Sequence, residues 1–310
     1  MMDALYVATD REGIDRANDA EVMWALPTIS DGTFQPGAPT TSKGAPLILR
    51  NSVGLLGALD EAIFVAESLD ATENDASKGA SYTKSARLLS KTNWDGESAA
   101  RFALDCAEHV IEDLADVKLP DGTSLGEVIA QARGVIESLE PSDTHNLGLF
   151  ARLSAVRRLR RRGGELGDFA RELLVEDVQS DINALDDPAY AALAALVDAV
   201  LGAVEAIRSI ALPRYVRARE DPVDEHSDNG PSSIPRIVST PWGPIAIGAE
   251  HRSAYEPSWA AARDATSRAR DAIADRKGEK AAIDERAWQA ERLVRYLHES
   301  QIQRDSSIAQ

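Results

Sequence analysis

The 310 residues, 44% of them hydrophobic, are enough for one large domain or two ordinary ones. Acidic residues outnumber basic ones 51 to 34, and the net charge of −17 disfavours nucleic acid as a partner. A single cysteine, Cys106, excludes an intrachain disulfide and suits a reducing cytoplasm.

Aromatic residues are few at 5%, while Ala and Leu are plentiful. That balance favours helices packed through small side chains over a β-sandwich. The expected fold is therefore mostly α, a multi-helix bundle with a small β-hairpin inserted before the C-terminal helices. The bias toward Arg, Ala, Asp and Gly reads as GC-rich bacterial coding.

Residues 1–45 read as an extended arm. Within it, Ala4 to Ala8 suits a short strand, and Asp10 to Trp24 an amphipathic helix with Ile14, Ala17, Val22 and Trp24 as its apolar members. A Pro-, Gly-, Ser- and Thr-rich loop follows, lying over the helical body or serving as a lid or partner-binding arm. No basic run followed by an apolar core opens the chain, so no secretory signal is expected.

Residues 46–220 read as the bundle body. Pro46 to Leu69 is its first long helix, with Leu49, Val53, Leu56, Leu59, Ile63 and Ala66 as the buried row. The polar run DATENDASKGASYTKS is a loop. Asp95 is the N-cap of a helix from Gly96 to Val117. Ser124 with Glu127 makes a capping box that opens a helix to about Glu140. Leu147 to Arg162 is a basic helix, and Leu166 to Leu185 an acidic one. Pro188 to Leu212 is the central helix. Its apolar row includes Leu193, Leu196, Val197, Val200, Val204 and Ile207, and its second stripe is Ala191, Ala195, Asp198, Gly202, Glu205 and Ser209. It is near membrane-spanning length, but Asp198 and Glu205 argue against a span.

Residues 221–256 read as a linker and a hairpin, Arg236 to Gly248, turning at Pro241-Trp242-Gly243-Pro244. The Ala4–Ala8 strand is a candidate third strand for it, since a lone hairpin is marginal. Residues 257–310 are one or two helices with a weak point at Lys277-Gly278.

The richest metal-like cluster is Asp105, Glu108, His109 and Glu112. It lacks the paired Glu-x-x-His motifs of a di-iron bundle, and no HExxH or paired Cys accompanies it, so no metal is expected. Cys106 falls on the apolar face of its helix and reads as core rather than nucleophile. No Gly-rich phosphate loop follows a strand; Asn51-Ser-Val-Gly is too short. No cofactor is expected.

Two binding candidates stand out. Arg157, Arg158, Arg160, Arg161 and Arg162 form an anion-binding patch, or pair with the acidic helix that follows. Trp242 is an exposed anchor, or folds back onto the helices. These features support a non-enzymatic cytoplasmic protein that works through a protein partner or self-association. The alternative is an enzyme or ligand-binding protein using buried acids such as Asp198 or Glu205, with Arg208. Anion or nucleic-acid binding through Arg157 to Arg162 is a weaker third reading.

Overall fold

A computed structural model describes residues 4–16, 21–30, 33–114, 124–138, 195, 199, 202, 203, 206, 236–240, 243–247 and 257–298. The chain divides into two compact units, Met1–Phe102 with Lys277–Gln310, and Ala103–Arg276.

The first unit is built on a seven-stranded sheet, which overturns the expectation of a mostly α, multi-helix bundle with only a small β-hairpin. Its strands are β1 (Leu5–Thr9), β6 (Thr40–Thr41), β7 (Leu47–Arg50), β8 (Ala62–Ser68), β9 (Glu73–Asp75), β10 (Ala80–Thr83) and β11 (Ser85–Lys91). They lie in the order β6-β11-β8-β1-β7-β10-β9, and every pair is antiparallel. Pro46 to Leu69 is thus not a helix. It holds β7, the single-turn α1 (Ser52–Leu55) and β8. The polar run expected as a loop supplies β9 and β10.

Strand alternation sorts the side chains onto two faces. Val7, Leu47, Leu49, Ala62, Phe64, Ala66, Ala86 and Leu88 share one face, and Trp24 closes it with Val22 and Leu26. The segment expected as an amphipathic helix is therefore the cover of this face, folded into β2 (Ile14–Asp15) and β3 (Val22–Met23). A second small hairpin follows, β4 (Thr28–Ser30) with β5 (Thr33–Gln35). Gly13 makes the cover possible. Its φ is +87°, and a Cβ there would lie 2.8 Å from the Trp24 carbonyl oxygen.

The opposite face carries Tyr6, Ile48, Arg50, Val65, Ala80 and Tyr82, as the registers Tyr6↔Arg50, Tyr6↔Val65, Ala80↔Arg50 and Tyr82↔Ile48 require. The last helix, α5 (Glu279–His298), docks in this unit. The Tyr6 hydroxyl and His298 Nε2 share a hydrogen bond of 2.8 Å, and the Asn93 N–H donates to the Leu297 carbonyl at 2.9 Å. Tyr296 meets Phe102 edge to face, and Phe102 meets Trp94 likewise.

Where local signals dominate, sequence and structure agree. Asp95 caps α2 (Gly96–Leu114), its Oδ1 accepting from the Ser98 N–H at 2.7 Å. Gly278, at φ +90°, separates α4 (Ser258–Lys277) from α5. The hairpin is β12 (Arg236–Thr240) with β13 (Gly243–Ile247). Its two strands make a sheet of their own, and the Leu5–Thr9 strand belongs to the large sheet instead.

In α3 (Leu125–Ser138) the capping box is reciprocal. The Glu127 N–H donates to Ser124 Oγ at 3.1 Å, and the Ser124 N–H donates to Glu127 Oε2 at 2.9 Å. Ser124→Ala is expected to cost about 1 kcal/mol, since it strands a helix-end donor. A fall in the urea midpoint at constant slope reads this, and an unmoved midpoint would show that the box contributes nothing.

In the second unit, Ala195, Ala199, Gly202, Ala203 and Ala206 are helical. The four alanines are buried. A Cβ on Gly202 would sit 3.0 Å from Ala265 Cβ and 3.2 Å from the Ala261 carbonyl oxygen, so this stretch and α4 approach closely at the glycine. Among the described residues, no helix is long and apolar enough to cross a membrane.

Candidate functional site

Two charged residues that the first unit buries, Asp15 and Arg50, influence each other electrostatically. Asp10 starts the arrangement. Its Oδ1 accepts from the N–H groups of Glu12 and Ile14, each at 2.9 Å, and its Oδ2 pairs with Arg16 at 3.0 Å. This turn brings the chain back from β1 and leaves Asp15 fully buried. Arg50, the last residue of β7, stands opposite Tyr6 in the sheet. Immediately after it, Asn51 Oδ1 accepts from the Gly54 N–H at 3.0 Å and caps α1. The Asn51 N–H donates to the Gly79 carbonyl at 3.0 Å. The Asn51-Ser-Val-Gly run is thus a structural corner fixing the end of β7.

Arg50 is 7% exposed. Its Nη1 is one of two buried side-chain donors without a hydrogen-bond partner among the described residues; the other is Trp24 Nε1. Burial pulls the Arg50 pKa below the ordinary guanidinium value, and the charges of Asp15 and Tyr82 offset this in part. A guanidinium nitrogen buried without an acceptor is costly, because its desolvated N–H groups lose their water. This group was missed in the sequence, where Arg50 closes the apolar run Leu47-Ile48-Leu49 inside a segment read as helix. A charged residue ending such a run was the available signal.

The Asp105 cluster resolves differently. Arg133 on α3 reaches across to α2, and its Nη2 donates to Asp105 Oδ1 at 2.7 Å and also to Glu108 Oε2. Burial opposes the Arg133 charge, but Asp105 and Glu108 outweigh it and hold the pKa above the ordinary value. A guanidinium therefore takes the place that the sequence offered to a metal. No group of three or more His, Cys, Asp or Glu positioned for a metal occurs among the described residues. Cys106 is buried on the apolar face of α2.

The remaining sequence candidates lie outside the described residues: Arg157, Arg158, Arg160, Arg161, Arg162, Trp242, Asp198, Glu205, Arg208 and the side chain of Glu112. Comparison with known families, curated proteins and solved structures returned no match.

Proposed function

We propose that this chain acts in the cytoplasm through protein–protein contacts, in an assembly or adaptor role, without a reaction or cofactor of its own. The outer surface of the N-terminal cover supports this best. Val22, Trp24 and Leu26 pack against the sheet core. Between and beyond them, Met23 is 70% exposed and Ile29 67% exposed. Isolated exposed apolar residues are ordinary. Here, two large ones stand on the neighbouring short strands β3 and β4 of one covering segment, and methionine is enriched at protein interfaces. The lone cysteine supports the compartment. The excess of negative charge leaves a protein, a second copy of the chain included, as the favoured partner over nucleic acid.

Sedimentation equilibrium across a wide concentration range tests the self-association arm. The wild type is expected to exceed monomer mass at high micromolar concentration. M23E/I29E places a charge at each of the two exposed apolar positions and is expected to weaken the association about 100-fold, about 2.7 kcal/mol. A wild type that stays monomeric throughout, or a variant that associates equally well, would overturn the assignment of this surface.

A further inference from the structure

The sulfur atoms of the chain are few and unequally exposed. It has three methionines, Met1, Met2 and Met23, and one cysteine, Cys106. Of the two that fall among the described residues, Cys106 is fully buried in α2 and Met23 is 70% exposed. Sulfur oxidation follows exposure, and a thioether, unlike a thiol, needs no ionisation to react.

The position of Met23 lets its sulfur react while the fold stays closed. β2 and β3 pair in the register Ile14↔Met23 and Asp15↔Val22, and the Trp24 N–H donates to the Gly13 carbonyl at 2.9 Å. Those bonds belong to the main chain. Alternation sends Trp24 inward, where it is 2% exposed in the core, and Met23 outward beside the half-buried Ile14. An oxygen added to Met23 therefore meets solvent rather than packed atoms, and the hairpin keeps its hydrogen bonds.

We propose that Met23 is a reversible oxidation site whose sulfoxide switches off the apolar contact made by this segment. In the forward step the Met23 sulfur attacks one oxygen of a hydroperoxide. The O–O bond breaks, the S–O bond forms, a proton shifts to the departing oxygen, and water or an alcohol leaves. The sulfur is oxidised by two electrons and the peroxide is reduced by two. In the return step a methionine sulfoxide reductase removes the oxygen as water while a dithiol becomes a disulfide. The sulfoxide brings a polar acceptor that the thioether lacks, so burying it against an apolar partner costs its desolvation. Ile14 and Ile29 cannot undergo this step, so the response belongs to one residue. The switch rests on the contact reading above; the oxidation site does not.

The test treats the full-length chain with hydrogen peroxide and maps its tryptic peptides by mass. Cleavage at Arg11, Arg16 and Lys43 places Met23 in a different peptide from Met1 and Met2. Met23 is expected to gain one oxygen at close to the rate of a free methionine amide, with Trp24 and Cys106 unmodified. The two epimer-specific methionine sulfoxide reductases with dithiothreitol should remove it. In sedimentation equilibrium, oxidation is expected to weaken association about 10-fold, the order of cost of one buried unpaired polar group. Met23→Leu should associate equally well before and after peroxide. A Met23 that resists peroxide in the folded chain, that oxidises only as the far-UV signal of the fold is lost, or whose sulfoxide the reductases leave in place would overturn the oxidation site. An oxidised wild type that associates as tightly as the reduced one, or a Met23→Leu protein weakened equally by peroxide, would overturn the switch. A reduced wild type that stays monomeric removes the contact reading and the switch with it, and the peptide map still decides the oxidation site.

Discussion

Replacing Arg133 by Met is expected to destabilise the second unit by about 3 kcal/mol, more than any other exchange of a charged residue considered above. Asp105 is only 5% exposed and accepts from Arg133 at 2.7 Å. The pair joins α2 to α3, two helices separated in sequence by residues 115–124. Removing the cation takes away the charge that offsets the desolvation of a buried carboxylate. Glu108 loses the same partner but is 46% exposed, so water replaces most of that loss. The cost is therefore asymmetric, and Glu108→Gln should move stability by only a few tenths, about 0.5 kcal/mol or less. Combining Arg133→Met with Asp105→Asn should recover much of the loss, because the buried carboxylate charge is removed together with its cation. Hydrogen exchange on the α2 and α3 amides reads this unit separately, which matters in a chain of two units. An Arg133→Met protein whose α2 and α3 protection matches the wild type would show that the pair contributes no net stability.

The same pair shows which parts of the molecule the sequence could reveal. Helix ends were legible because their chemistry is local. Asp95, the Ser124–Glu127 box and Gly278 each act within a few residues of the bond or dihedral they determine. The large sheet was hidden because its pairings are not local. β1 pairs with β7 and β8, and β7 pairs with β10. The residues of β7 and β8 also satisfied the wrong period. Leu49, Leu56, Leu59, Ile63 and Ala66 recur at helical steps, but Leu47 with Leu49, and Ala62, Phe64 and Ala66, alternate at the strand period. β8 is buried along much of both faces, which erased the polar alternation that marks a half-exposed strand. Its alanines have little strand preference of their own, so packing decided the outcome.

The candidate site was hidden for a related reason. Arg50 faces Tyr6 across a strand pair, and Asp15 reaches the neighbourhood through a turn near the end of β1. Arg50 lies far from both of the others in sequence. The acidic cluster at Asp105 was visible as a cluster, but its meaning lay in Arg133, which sequence placed on another helix without a distance. A row of acids on one helix face fits a metal and a guanidinium equally well. Only the partner helix distinguishes them.

The junction behind Arg50 gives the largest expected backbone effect. Gly54→Ala and Gly79→Ala are each expected to cost about 3 kcal/mol, and together less than the sum. A Cβ on Gly54 would fall on the Gly79 carbonyl oxygen and lie 2.7 Å from that of Lys78, both of them backbone atoms with little freedom to yield. Gly79 has φ +62°, a region that carries its own penalty of about 1 kcal/mol for a side chain. A Cβ there would also strike Asn51 Oδ1 and approach the Gly54 nitrogen at 2.5 Å. Those atoms form the hydrogen bond that caps α1. Each substitution therefore pushes open the same contact between the α1 corner and the turn before β10. Once one has displaced it, the second finds part of its space already made, so the two effects are non-additive. Exchange protection of the β7 and β10 amides should fall in both single variants, since that turn sets the register Ala80↔Arg50. Two alanine variants with wild-type protection, or with strictly additive losses, would show that the corner does not position the end of β7.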